Sequence, residues 1–374
     1  MRSTLLRFFP PPAYLANHAA GVDISDRSIK YIMLAYVNGV PCLKSYGEQP
    51  LTPGIVERGK VRDIAALGEE LKKIRATLPV SAVVLALPEE HAYAFLLSIP
   101  PMARRDLRAS IELQLENQIP VPAQSVIFDY DIIQERADGA YEVEVAAIAR
   151  EDVSEYINAC THAGLMPQAL EIEAHSVARA LLPASPRSAA ADEGESRTDI
   201  ETALIVDMGR TRTGLTVVTA GFVAFTSTVQ GIGGEDITTV VQKNLRISRD
   251  IAEQYKIERG LSRAKENRDL FYALIPIASV LKDEILKRCE YWNIHERKER
   301  GATGGPVSRI ILTGGQSTLP GLDEYLAEHA GIPVELAAPW RNVPRFKGGV
   351  PPIPFNESLG YTTAIGLALR GLHL

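Results

Sequence analysis

Residues 204–218 read "LIVDMGRTRTGLTVV". An apolar run stops at Asp207, turns through Gly209, Arg210, Thr211, Arg212 and Thr213, and goes straight back into apolar sequence. The pattern predicts a β-hairpin whose flanks are buried, with glycine and hydroxyls in the turn. Two readings are open at this point. The turn is either an ordinary hairpin bend or one whose amides and hydroxyls wrap a phosphate.

The choice turns on an internal echo. "GVDISDRSIKYIMLAYVNG" (21–39) has the same plan as "IVDMGRTRTGLTVVTAG" (205–221). In each, an apolar residue precedes an Asp, a short turn rich in hydroxyls and arginine follows, and a second β-rich run ends near a glycine. Repetition over so long an interval predicts two lobes of like plan, each opened by an antiparallel hairpin. A third element, "SRIILTGGQSTLPGLDEYLAEHAG" (308–331), reads as strand, Gly-Gly turn and helix. Ser317 or Thr318 is the expected cap, with Pro320 in the first turn and Asp323 and Glu324 at the positive end.

Between them, "VQGIGGEDITTVVQKNLRIS" carries Gly231, Gly233 and Gly234, but the sixth position is Asp236, so the dinucleotide pattern GxGxxG is not met. No GxxxxGK[ST] occurs, which excludes a P-loop NTPase. Gly233 and Gly234 instead precede a helix, and open amides at a helix start would seat an anion.

The chain has 374 residues, enough for two cores, and is 46% hydrophobic and 23% charged, as expected of a globular protein. A net charge of -6 gives no basic field for nucleic acid. Cys42, Cys160 and Cys289 lie far apart with no CxxC spacing, which argues against a zinc or redox site. No apolar run is long enough to span a bilayer. The opening "MRSTLLRFFPPPAYLANHAAG" is a poor signal peptide, broken by three prolines. It reads as a loosely packed arm or as a contact with a membrane or partner through Leu5, Leu6, Phe8 and Phe9.

The pattern divides the chain as follows. Lobe 1 has its core in 18–93, 166–190 and 358–374, with a small α+β subdomain inserted at 94–165. A flexible interlobe loop covers 184–200, and lobe 2 has its core in 201–235 and 308–357. A helical subdomain of lobe 2 spans 236–307. Asp23 and Asp207 would then face each other across the interlobe cleft, and a hydrated Mg²⁺ between them would relieve their repulsion. Ser25, Asp26, Arg27, Ser28 and Lys30 from one turn, and Gly209, Arg210, Thr211 and Thr213 from the other, would grip a phosphate tail. Glu253 and Lys256, three apart on a helix, form either a surface ion pair or a bracket for a nucleoside. Glu173, between a strand and a helix, caps the helix or orients a water for attack on a γ-phosphate.

This set, in this order, resembles the actin-like ATPase superfamily, and within it the PilM family of type IV pilus assembly. "GVDISDRSIKYIML", "ASIELQLENQIPVPAQSVIFDYDII" and "GIGGEDIT…LRISRDIAEQYK" carry the likeness, with "LTGGQSTLPGL" similar to the adenosine motif and "SLGYTTAIGLAL" to the closing connection. The resemblance implies a bilobal actin-like α/β fold built of duplicated RNase H-like domains, with ATP and Mg²⁺ in the cleft and Asp23 and Asp207 at the metal. It implies Gly233 and Gly234 near ribose and phosphate, Glu253 and Lys256 beside the nucleoside, and Gly314, Gly315 and Ser317 around adenine. Glu173 and Asp207 would be the catalytic residues. It also implies a cytosolic protein at the inner face of the membrane. Its partners would be the N-terminal tail of a PilN-like inner-membrane protein, pilus motor ATPases and further copies of itself. The superfamily places glycine where this chain has Ser25, so binding with slow or negligible hydrolysis is expected. The rival readings are an actin-shaped scaffold without nucleotide and a small-molecule kinase.

Overall fold

A computed structural model describes residues 18–37, 39–183, 201–296, 305–344, 346 and 348–372. The N-terminal arm and the loop 184–200 singled out in the sequence lie outside the described residues.

The chain opens with a meander of β1 (Ala20–Ile24), β2 (Ser28–Val37) and β3 (Val40–Pro50). A two-stranded ribbon, β4 (Val56–Glu57) and β5 (Lys60–Val61), leads to helix α1 (Ile64–Thr77). Asp63 caps α1 by accepting the Ala66 amide at 2.9 Å, and Leu67, Leu71 and Ile74 form its buried stripe. Next come β6 (Ala82–Leu87), β7 (Ala92–Ile99), α2 (Leu107–Gln118), β8 (Val126–Glu135), β9 (Tyr141–Ala149), α3 (Arg150–His162), β10 (Met166–Ile172) and α4 (Glu173–Leu181). The second half repeats the opening meander with β11 (Thr202–Met208), β12 (Arg212–Thr219) and β13 (Phe222–Gln230). Helices α5 (Gly234–Leu245), α6 (Arg249–Glu258) and α7 (Arg268–Tyr291) follow, then β14 (Val307–Thr313), α8 (Leu322–Ala330), β15 (Val334–Leu336) and α9 (Thr362–Gly371).

The echo in sequence is an echo in topology. One sheet runs β10-β6-β1-β2-β3, and the other begins β15-β14-β11-β12-β13. In both, an antiparallel meander is extended by two parallel strands beside its first member. Strand β11 is buried almost throughout, which is why its sequence is a continuous apolar run rather than an alternating one. The second sheet continues through β7, β9 and β8, joined to β13 at Phe225–Phe95. Helix α2 covers that extension with Leu107, Ile111 and Leu115. Helix α3 leaves it to pack on lobe 1, where Tyr156 and Ala159 join α1 in one core.

Helices α4 and α9 fill the space between the two sheets and share a core with Ile205 and Ile311 of lobe 2. Their approach is so close that an added Cβ at Gly366 would collide with the backbone of Ser176. Glu173, at the start of α4, is thereby fixed against the interlobe cleft.

Candidate functional site

Four chain reversals converge on the cleft: the β1–β2 turn, the β11–β12 turn, the start of α5 and the Gly-Gly bend after β14. Asp23 lies opposite Lys30 in the β1–β2 register, and Asp207 lies opposite Gly214 in the equivalent hairpin. Burial raises the Asp23 carboxyl to about 7, helped by the charges of Glu173 and Asp207 and opposed by Lys30 and Arg212. Burial and Glu173 likewise raise Asp207 to about 6, against Arg212 and Lys30. The two acids therefore occupy one electrostatic site.

The phosphate-loop candidates meet one another across this site. Ser25 closes its own turn, its hydroxyl donating to the Ser28 carbonyl at 2.9 Å. Asp26 accepts from the amides of Arg58 and Gly59 and, from the other lobe, from the Thr211 hydroxyl at 3.1 Å. Arg27 forks onto Glu235, which also receives Arg210. Thr213 is buried and donates to the Ile232 carbonyl. Lys30 turns away from the other turn residues, 3.8 Å from Glu48 and 5.7 Å from the centre of the Tyr361 ring.

The start of α5 differs from the sequence reading of open amides. The Gly233 amide donates to Asp236, the Gly234 amide to the Gly209 carbonyl, and the Glu235 amide to the Arg210 carbonyl. The last two of these amides dock the helix end on the β11–β12 turn, while its own third residue, an acid, reaches back to cap the first.

Beside it lies a cavity of about 370 Å³ lined by Lys30, Glu253, Lys256, Gly315, Gln316 and Tyr361, among others. Lys256 is buried and donates to the Glu253 carboxylate at 2.9 Å, to Thr238 at 3.0 Å, to the Gly234 carbonyl at 3.2 Å and to Gln316 at 2.8 Å. Burial lowers its pKa, against its own hydrogen bond to the Glu253 carboxylate. Gln316 lies over Gly234, where any side chain would intrude. Gly314 has φ +87°, and a Cβ there would strike Asp207, so the bend holds strand β14 against the carboxylate. The cap of α8 is Gly321, not Ser317 or Thr318. Ser317 turns inward, donating to the Gly314 carbonyl, and so stiffens the bend.

The sequence reading missed Arg212 and Gln316. Arg212 donates to both oxygens of Glu173, at 2.6 and 2.8 Å, and lies 2.9 Å from Glu90. A second arginine in the turn, directly before an apolar strand, was the available signal that one of the two would be buried.

The sequence matches the family described as "Type IV pilus assembly protein PilM" over residues 21–372. The chain belongs to the PilM family. Its fold is the actin-like bilobal one. A solved chain from a "PilM-PilN type IV pilus biogenesis complex" is similar at a TM-score of 0.76 and 23% identity, covering 96% of this chain and 99% of that one. The ethanolamine utilization protein EutJ from Carboxydothermus hydrogenoformans is similar at 0.52 and 16%, covering 96% and 90%. MreB5 of Spiroplasma citri bound to ADP is similar at 0.51 and 14%, covering 94% and 95%.

A second cavity, about 760 Å³, opens between strand β8 and the helices α4 and α9. It is lined by residues 127–131 of β8, by Leu170 and Ile172, and by one side of α4 and α9. Strand β8 ends its sheet, so a backbone edge borders the groove. Glu171 at its base is held below the usual carboxylate range: burial works against this, and the Arg179 and Arg370 guanidiniums overcome it. Among the described residues no helix is long and apolar enough to cross a membrane.

Proposed function

We propose that this PilM-family chain holds an adenine nucleotide in its cleft and grips a partner's tail in its groove, as a cytosolic component of type IV pilus assembly. The observation that carries the nucleotide reading is the convergence of Asp23 and Asp207 beside the cavity lined by Glu253, Lys256 and Gly315. Two half-buried acids with raised pKa values want a cation. Among the described residues no three His, Cys, Asp or Glu side chains gather to hold a metal alone. Asp23 and Asp207 would therefore hold Mg²⁺ through water and phosphate oxygens, the mode that suits this ion. Bound there, the ion would neutralise phosphate charge. Lys30 and Lys256 would face the nucleotide, with Gly314, Gly315 and Ser317 shaping the base end and Glu173 facing the terminal phosphate. ADP in the similar MreB5 structure supports this reading.

The groove is proposed to take the N-terminal tail of a PilN-like inner-membrane protein, in keeping with the complex that the fold resembles. Its apolar walls suit tail side chains, and the edge of β8 can accept an extended strand. Membrane association and any link to motor ATPases or further copies would then run through partners.

Calorimetric titration with ATP and Mg²⁺, repeated with Asp207→Ala, tests the cleft. Binding that disappears in the folded variant is the expected outcome, and a folded wild type that binds no nucleotide overturns the reading in favour of a scaffold. A synthetic PilN-type tail peptide, titrated in parallel, tests the groove.

A further inference from the structure

The floor of the cleft is rich in acids. Glu89, Glu90 and Glu173 join Asp23 and Asp207 there, and burial drives Glu89 well above its ordinary pKa, with Glu173 adding to the effect. Arg212 answers all of them: it opposes the rise in pKa at Asp23, Glu89, Glu90 and Asp207 alike. Its side chain is only 12% exposed. The fork is unevenly used. Glu173 has both oxygens engaged by one terminal nitrogen, whereas Glu90 has one oxygen on Arg212 and the other buried without a hydrogen bond.

Resting on the nucleotide reading above, we infer that Arg212 is a stopper on Glu173, so that the chain keeps bound ATP instead of hydrolysing it. Hydrolysis requires a water oxygen to bond to the γ-phosphorus while the bond from that phosphorus to the β,γ-bridging oxygen breaks, its electron pair leaving on ADP. One water proton must pass to a base, and from there to phosphate or solvent. Glu173 is the carboxylate placed for that task. Both of its oxygens are engaged by the Arg212 guanidinium, so neither is left turned toward an attacking water. The unpartnered oxygen of Glu90 gives Arg212 a second seat: a shift that forked both Glu90 oxygens would free Glu173. That vacant acceptor makes the pair a releasable device and not merely a filled ion-pair site.

The test compares the full chain with Arg212→Met, Arg212→Lys and the double variant Arg212→Met/Glu173→Gln. Phosphate release and ATP affinity are measured, the latter in Mg²⁺ and in EDTA. Arg212→Met is expected to release phosphate roughly a hundredfold faster than wild type, the low end of what a positioned base contributes. That gain disappears in the double variant. ATP affinity in Arg212→Met also depends more steeply on Mg²⁺ than in wild type, because its carboxylates have lost one of their internal cations. Arg212→Lys keeps the charge without the fork, is expected to show a smaller rise, and serves if the methionine variant does not fold. A folded, ATP-binding variant that hydrolyses no faster than wild type overturns the stopper, as does a gain that survives loss of Glu173. A wild type that binds no ATP overturns the nucleotide reading itself and the stopper with it, a result separable from the others by the affinity measurement.

Discussion

Arg27 and Glu235 stand on opposite lobes and meet fork to fork, Nε 2.8 Å from one carboxylate oxygen and Nη2 2.9 Å from the other. The pair joins the β1–β2 turn to the first turn of α5 and so ties the two sides of the cleft together. Both side chains are about a quarter exposed, at 29% and 24%, which places the pair above an ordinary surface bridge but within reach of salt. Glu235→Gln is expected to cost about 1 kcal/mol of unfolding free energy in low salt and less at high salt. The swap Arg27→Glu/Glu235→Arg should recover part of the loss in denaturant titrations. Equal losses at all salt concentrations would show that the pair contributes through packing and not through charge.

The raised carboxyls predict an unusual pH dependence for the nucleotide-free chain. Asp23 moves from 3.8 to about 7 and Asp207 from 3.8 to about 6. A carboxyl that holds its proton more tightly when folded stabilises the protonated native state, so this contribution falls as pH rises from about 4 through about 7. Asp207→Asn is expected to raise stability at pH 7.5 by about 1 kcal/mol, under one unit's worth of shift, and to change little near pH 4. Thermal unfolding across that window checks it. A variant less stable than wild type at pH 7.5 would mean that Asp207 is well solvated or cation-bound in the free chain.

What the sequence made legible was local, and what it hid was long-range. The two hairpins could be read because each acid, turn and apolar run lies within about twenty residues, and burial on both faces forces a continuous apolar run. The α1 stripe and the Gly-Gly bend after β14 could be read for the same reason. The partner of Glu173 could not, since Arg212 lies 39 residues away and the choice between two turn arginines is made by packing alone. Nor could the fate of the α5 amides: glycines at a helix start look like an anion seat until Asp236 is seen capping the Gly233 amide and the Gly209 carbonyl taking that of Gly234. The α8 cap moved to Gly321 because Ser317 is consumed by the bend itself.

Lys256 ties three elements together with one point charge. Its ammonium serves Glu253 on its own helix, Thr238 and the Gly234 carbonyl on α5, and Gln316 in the bend after β14. Lys256→Met keeps the stem but strands the Gln316 oxygen over Gly234, and is expected to cost about 2 kcal/mol. Nucleotide affinity should fall with it, because Gln316 and Lys256 both line the cavity. Lys256→Arg should not rescue affinity, since a flat fork cannot serve four acceptors grouped around a single nitrogen. Full affinity in a folded methionine variant would remove Lys256 from the site.

Gly366 tests how far the cleft depends on the helices behind it. It lies on α9 against the Ser176 carbonyl of α4, where a methyl group has no room and the obstacle is backbone, which cannot rotate away as a side chain would. Gly366→Ala must therefore push α4 from α9, at an expected cost of at least about 2 kcal/mol in urea unfolding. The displacement has a direction. Glu173 begins α4 three residues before Ser176, and Ala178 and Arg179 on the same helix line the groove. The substitution should weaken tail-peptide binding and nucleotide binding together, although residue 366 lines neither cavity. Loss of stability with both affinities intact would show that α4 yields locally around Ser176 and that cleft and groove are positioned independently.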